Sequence, residues 1–84
     1  MTDQEIIELI DNTLANEFEL NIDDMIPGAV LKDDLGLDSL DRVDMVIMLE
    51  KAFNFKMSEE ETIRAIRTLG DIHNFVIGKK HEMQ

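Results

Sequence analysis

The chain has 84 residues and no cysteine, and this combination limits the possible folds more than any other feature. At this length burial barely outweighs chain entropy, and small domains commonly lean on disulfides or a cysteine-ligated metal. Neither is open here. One core of packed aliphatic side chains must therefore hold the whole chain, which excludes two independent domains. Any thiol chemistry must be borrowed from another molecule.

The aliphatic residues recur at helical spacing. Thr2-Asp3-Gln4-Glu5 fits a capping box, and Ile6, Ile10 and Leu14 follow four apart, which predicts a helix from about Asp3 to about Glu17. Phe18 to Leu37 holds Pro27, Gly28 and Gly36 among Asn21, Asp23, Asp24, Asp33 and Asp34, and reads as a long loop with room for a short turn. Ile22, Ile26, Val30, Leu31 and Leu35 are expected to pin that loop over the helices. A second helix is predicted from Asp38 or Ser39 to Phe53-Asn54, with Asn54 as a left-handed terminator. Ser58-Glu59-Glu60-Glu61 is another capping box, opening a short helix through Ile63 and Ile66. Thr68-Leu69-Gly70-Asp71 opens a last helix carrying Ile72, Phe75, Val76 and Ile77, stopped by Gly78 and Lys79-Lys80. No alternating strand pattern survives. The expected fold is all-α: a small four-helix bundle of three longer helices plus one short helix, with a long loop between the first two. It forms a single domain over residues 1–84, with a tail at 79–84 expected to fray.

Nineteen acidic against eight basic residues give a formal net charge of -11. That field repels phosphate backbones and anionic lipid headgroups, so neither nucleic acid nor membrane is an expected partner. It steers the chain toward basic patches on other proteins, raising association rates more than affinity. No basic region precedes an apolar stretch at the amino terminus, and no apolar run approaches membrane-spanning length. The expectation is a cytoplasmic monomer. Crowded carboxylates are expected to have folded pKa values above their unfolded ones, so that salt, Mg²⁺ or mild acidification raises the melting temperature. The acids do not match a calcium loop: counting back from Gly36 puts Leu31 first, and from Gly28 puts Met25 third and Pro27 fifth. Clustered carboxylates are expected to bind divalent cations weakly, but no structural metal site is expected.

Ser39 stands where the loop becomes the second helix. A serine nucleophile needs a nearby base and a third orienting group, and only His73 and His81 are on offer, without a G-x-S-x-G elbow. Serine catalysis is therefore not expected. The plain alternative is that Asp38 caps the helix and Ser39 is an ordinary first helical residue. With no side-chain bulk at Gly36, however, the hydroxyl is expected to be open to a modifying enzyme. An anion attached there would face free first-turn amides and the positive end of the helix dipole, worth about 0.3–1 kcal/mol, with Asp38 opposing it.

The second helix has two apolar stripes. At about 100° per residue, Met45, Val46, Leu49, Ala52 and Phe53 gather on one side, and Leu40, Val43 and Ile47 nearly opposite. The first is the expected core face. The second becomes an exposed strip beginning one residue after Ser39, flanked by Asp44 and Glu50 with Asp41 farther round, which is the composition of a transient docking surface. The competing reading is a central helix buried on all sides.

Asp34-Leu35-Gly36-Leu37-Asp38-Ser39-Leu40-Asp41 resembles the attachment motif of acyl carrier proteins, in which the serine of Leu-Gly-x-Asp-Ser-Leu carries a 4'-phosphopantetheine arm. The likeness continues through the acidic helix from Leu40 to Phe53 and, more loosely, over nearly the whole chain. It implies a protein that is not an enzyme but holds acyl chains as thioesters while enzymes of fatty-acid or related lipid synthesis act on them. The arm would come from coenzyme A and be joined to Ser39, between Asp38 and Leu40, by a phosphopantetheinyl transferase (holo-carrier synthase). Leu40, Asp41, Val43, Asp44, Ile47 and Glu50 would dock on basic patches of fatty-acid or polyketide synthesis enzymes. An interior lined by residues such as Leu31, Met45, Val46, Leu49, Ile66 and Ile72 would sequester part of the acyl chain. Arg42 and Lys51 depart from a uniformly acidic helix, and the region Met57 to Thr68 lacks a helix-starting Pro and runs a residue or two long, as in a specialised paralogue. The alternatives are a carrier in a specialised polyketide or aminoacyl pathway, or an unmodified helical protein-interaction domain.

Overall fold

The computed structural model describes residues 2–54 and 65–82. Helix α1 is Asp3–Phe18, α2 is Ser39–Phe53 and α3 is Leu69–Glu82, with a 3₁₀ turn at Ile22–Asp24 in the long loop between α1 and α2. The short helix expected from Ser58 through Ile63 falls outside the described residues. Ile66, placed in that helix by its sequence, is buried but not helical.

Each helix begins where its local chemistry dictates. Thr2 and Glu5 form the expected reciprocal box: the Glu5 amide donates to Thr2 Oγ1 at 3.1 Å and the Thr2 amide to Glu5 Oε1 at 2.9 Å. At α3 the Asp71 amide donates to Thr68 Oγ1, and the Arg67 and Thr68 amides both donate to Asp71 Oδ2. Helix α2 ends at Asn54, whose φ of 55° is the left-handed terminator the sequence predicts.

At Glu5 and Asp71 these hydrogen bonds act opposite to the upward shift expected of crowded carboxylates. The Thr2 amide and hydroxyl hold the Glu5 carboxyl below the usual carboxylate range, and the Arg67 and Thr68 amides do the same for Asp71. At both caps, donation from backbone N–H groups outweighs the desolvation that opposes it.

The core joins the three helices and the loop between α1 and α2. Ile6, Ile10 and Leu14 of α1, Met45, Val46, Leu49 and Phe53 of α2, and Leu69, Ile72 and Val76 of α3 form one buried cluster with Met25, Leu31, Leu37 and Ile66. Ala52, assigned to the core stripe from sequence, is exposed. Helices α1 and α3 run antiparallel, tied at mid-length by the buried His73, whose Nε2 lies 2.7 Å from Asp11 Oδ1, and at their ends by His81 Nε2, 3.1 Å from Asp3 Oδ1.

Gly78 does not stop α3, which continues to Glu82, so most of the tail expected to fray is helical. An interior glycine costs a helix only about 1 kcal/mol relative to alanine. The last turn gains more than one compensating contact: Lys79 Nζ lies 3.7 Å from Glu82 Oε2 and 5.7 Å from the centroid of the Phe75 ring, beside the His81 pair. His73 and His81 are thus both engaged with aspartates of α1.

Candidate attachment site at the start of α2

The loop before Ser39 is built by folding back on itself and onto α3. Leu31 N–H donates to Arg67 C=O at 2.9 Å, Leu69 N–H to Ala29 C=O at 3.0 Å, and Val30 and Thr68 form an antiparallel bridge. Gly70 N–H donates to Pro27 C=O at 2.8 Å, an approach so close that a Cβ on Gly70 would sit 3.0 Å from that oxygen. This pairing sets which loop residues face inward. Met25, Ala29 and Leu31 are buried and Val30 and Leu35 half-buried, whereas Ile22 and Ile26, expected to pin the loop, are 48% and 60% exposed.

From Val30 the chain turns tightly. Val30 N–H donates to Asp34 Oδ2 at 2.7 Å, Asp34 N–H returns to Val30 C=O at 2.8 Å, and Leu37 N–H reaches Leu31 C=O at 2.8 Å. Gly36 has φ +71°, a left-handed conformation that glycine adopts without steric cost. A Cβ there would meet nothing within 4 Å. Its requirement is therefore set by the backbone, rather than by clearance around the serine as expected from sequence. The turn lets Leu37 enter the core, 3% exposed, and the next three residues emerge from it.

Asp38 caps α2 in a second reciprocal box: the Asp41 amide donates to Asp38 Oδ1 at 3.0 Å and the Asp38 amide to Asp41 Oδ2 at 3.1 Å. Capping thus uses one oxygen of each carboxylate, including that of Asp41, an expected docking acid. Ser39, with the cap already supplied by its neighbour, occupies the first helical position with an exposed side chain. It also lines a surface depression of about 270 Å³ shared with Lys32, Leu37, Asp38 and Arg42.

The two stripes of α2 separate as their spacing predicts. Met45, Val46, Leu49 and Phe53 are 0–4% exposed, while Leu40 is 76%, Val43 44% and Ile47 45% exposed. Asp44 is exposed and Glu50 half-buried beside this strip. Helix α2 is not buried on all sides. Leu31, Met45, Val46, Leu49, Ile66 and Ile72, the expected interior lining, all belong to the one core cluster. Sequence reasoning missed the two cations beside Ser39. Arg42 was readable as the residue one turn on from the serine, but nothing local relates Lys32 to it.

A family model described as "Phosphopantetheine attachment site" matches residues 8–76. The chain is similar to an acyl carrier protein of Syntrophobacter fumaroxidans, 37% identical over 75 residues, covering 89% of this chain and 86% of that one. It is 29% identical over 79 residues to an acyl carrier protein of Thermosynechococcus vestitus, covering 94% and 96%. Among solved structures, its fold is similar to that of an acyl carrier protein from Thermotoga maritima, with a TM-score of 0.83 at 24% identity, covering 98% and 94%. It is also similar to the acyl carrier protein from Enterococcus faecalis, with a TM-score of 0.75 at 27% identity, covering 93% and 98%.

Proposed function

Since the chain belongs to the phosphopantetheine attachment site family, and is thus a non-catalytic carrier whose prosthetic group is 4'-phosphopantetheine, we propose that Ser39 is the residue that bears the arm. The observation that carries this assignment is the position of Ser39. It is exposed on the first helical residue, anchored from behind by buried Leu37 and followed at once by the 76% exposed Leu40.

The residues present fit the group. An exposed hydroxyl offers the attachment atom, an adjoining depression gives room for a phosphate, and the first-turn N–H groups of α2 provide a positive field for its charge. When bound, the arm supplies the terminal thiol that holds an acyl group as a thioester, which this cysteine-free chain lacks. The chain's own residues hold the serine in place: buried Leu37 fixes the backbone that precedes it and the Asp38–Asp41 box closes the first turn around it. Asp38 and Leu40 flank the attachment atom as the polar and apolar sides of the transferase's target.

The reading extends to a single carrier domain over the whole chain, acting as a cytoplasmic monomer in fatty-acid synthesis and serving a phosphopantetheinyl transferase and synthesis enzymes with basic patches. Leu40, Val43 and Ile47 would form the apolar centre of their docking surface, with Asp41, Asp44 and Glu50 on the acidic rim. Two features support this: the strip remains uncovered in the folded chain, and the net charge is -11. Among the described residues no helix is long and apolar enough to cross a membrane.

The test is incubation with coenzyme A and a broad-specificity phosphopantetheinyl transferase, followed by intact mass. The wild-type chain should gain one phosphopantetheine. Ser39→Ala should fold normally and gain nothing, because Asp38 supplies the cap and the exposed Ser39 hydroxyl has no hydrogen-bond partner among the described residues. Modification of Ser39→Ala would overturn the assignment.

A further inference from the structure

We propose that Lys32 and Arg42 form a cationic seat for the phosphodiester that joins the arm to Ser39, so that the root of the arm leans toward the loop and away from the exposed apolar strip. This inference rests on the reading of Ser39 as the attachment residue.

Three observations lead to it. First, Lys32 from the loop and Arg42 from α2 line the same depression as Ser39, so a phosphodiester on the serine oxygen is delivered to the mouth of a cavity with a cation from each of two elements. The opposing charge in that lining is Asp38, one of whose oxygens already accepts the Asp41 amide. Second, neither Lys32 nor Arg42 has a carboxylate within ion-pair distance among the described residues, although acids outnumber bases nineteen to eight in the chain. Third, Arg42 is half-buried with its Nε–H enclosed and without an acceptor. Its guanidinium can therefore turn toward an anionic oxygen without giving up a bond at that atom.

The helix geometry gives the seat a direction. Taking Ser39 as zero and about 100° per residue, Arg42 lies about 60° to one side, whereas Val43, Ile47 and Leu40 lie about 40–100° to the other. A phosphodiester drawn to Arg42 and Lys32 leaves Leu40, Val43 and Ile47 clear for a partner. In a chain of net charge -11, the same two side chains would also counter the repulsion that a new anion otherwise meets.

The test uses wild type, Lys32→Gln, Arg42→Gln and the double variant, each converted to the holo form and checked by intact mass. Phosphorus NMR then reads the phosphodiester directly, and the melting temperature is compared between apo and holo forms. In the wild type the phosphorus resonance should shift as added salt screens the contact, and attachment should raise the melting temperature. In the double variant both effects should disappear. Lys32→Gln alone should lower the seated-to-free ratio about 1.4- to fivefold, the range for an exposed ion pair, and Arg42→Lys should restore part of what Arg42→Gln loses. Arg42 is half-buried, so if Arg42→Gln unfolds the chain, the exposed Lys32→Gln carries the comparison. A fully modified double variant whose phosphorus shift, salt response and melting increment match the wild type overturns the seat and leaves the carrier assignment standing. A wild-type chain that gains no mass overturns the carrier assignment itself.

Discussion

Replacing Leu49 and Ile47 in turn by alanine separates the two faces of α2. Each change removes three side-chain carbons from the same helix, two residues apart. Leu49 is fully buried in the core cluster. At about 0.8 kcal/mol per buried carbon its lost transfer energy is about 2.4 kcal/mol, and the cavity left behind raises the cost to about 3–5 kcal/mol. Ile47 is 45% exposed. Only about half of the same transfer energy is at stake, about 1.3 kcal/mol, and alanine's better helix propensity returns about 0.4 kcal/mol. The expected cost of Ile47→Ala is therefore about 1 kcal/mol.

A domain of this length has a total stability of only about 4–13 kcal/mol, so Leu49→Ala risks leaving the chain largely unfolded. Urea unfolding followed by far-UV circular dichroism should be run in added salt to screen the net charge, with Val46→Ala as a milder core change of about 2 kcal/mol. Stability differences are read from the midpoints at a shared slope. If Ile47→Ala costs as much as Leu49→Ala to within about 0.5 kcal/mol, the exposed strip is part of the core in solution and the docking surface fails with it.

Asp71 has a folded pKa below its unfolded value because two backbone amides donate to it. Its contribution is therefore complete above the unfolded pKa of about 4 and is lost as pH falls through the folded value. Asp71→Asn should lower stability at neutral pH by about 1 kcal/mol and flatten the acid limb of a melting-temperature profile. An unchanged acid limb would refute the cap's role. Gly36→Ala places a Cβ in open space but at φ +71°, so urea unfolding should show a loss of about 1–2 kcal/mol from backbone strain alone. No measurable loss would mean the turn relaxes to another conformation. Asp44→Lys and Glu50→Lys should leave the fold intact, slow capture by synthesis enzymes and weaken its salt dependence in stopped-flow binding. Unchanged rates would remove both acids from the docking rim.

Features set by interactions three or four residues apart were legible in the amino-acid order. The caps at Thr2, Asp38 and Thr68, the left-handed stop at Asn54 and the two faces of α2 all depend on local hydrogen bonds or on the helical period, so the exposed serine and the strip beside it could be placed before any contact was known. The loop could not be read in this way because it has no period to set its phase. Its pairing with residues 67–70 buries Met25 and Ala29 and leaves Ile22 and Ile26 outside. Likewise Gly78 is a stop signal only for an isolated helix, and the contacts of His73 and His81 with α1 carry α3 past it. Lys32 reaches the depression beside Ser39 only because the turn at Gly36 brings the loop back against the first turn of α2. Local energetics thus placed the serine, whereas the charges around it depend on which distant segments the core draws together.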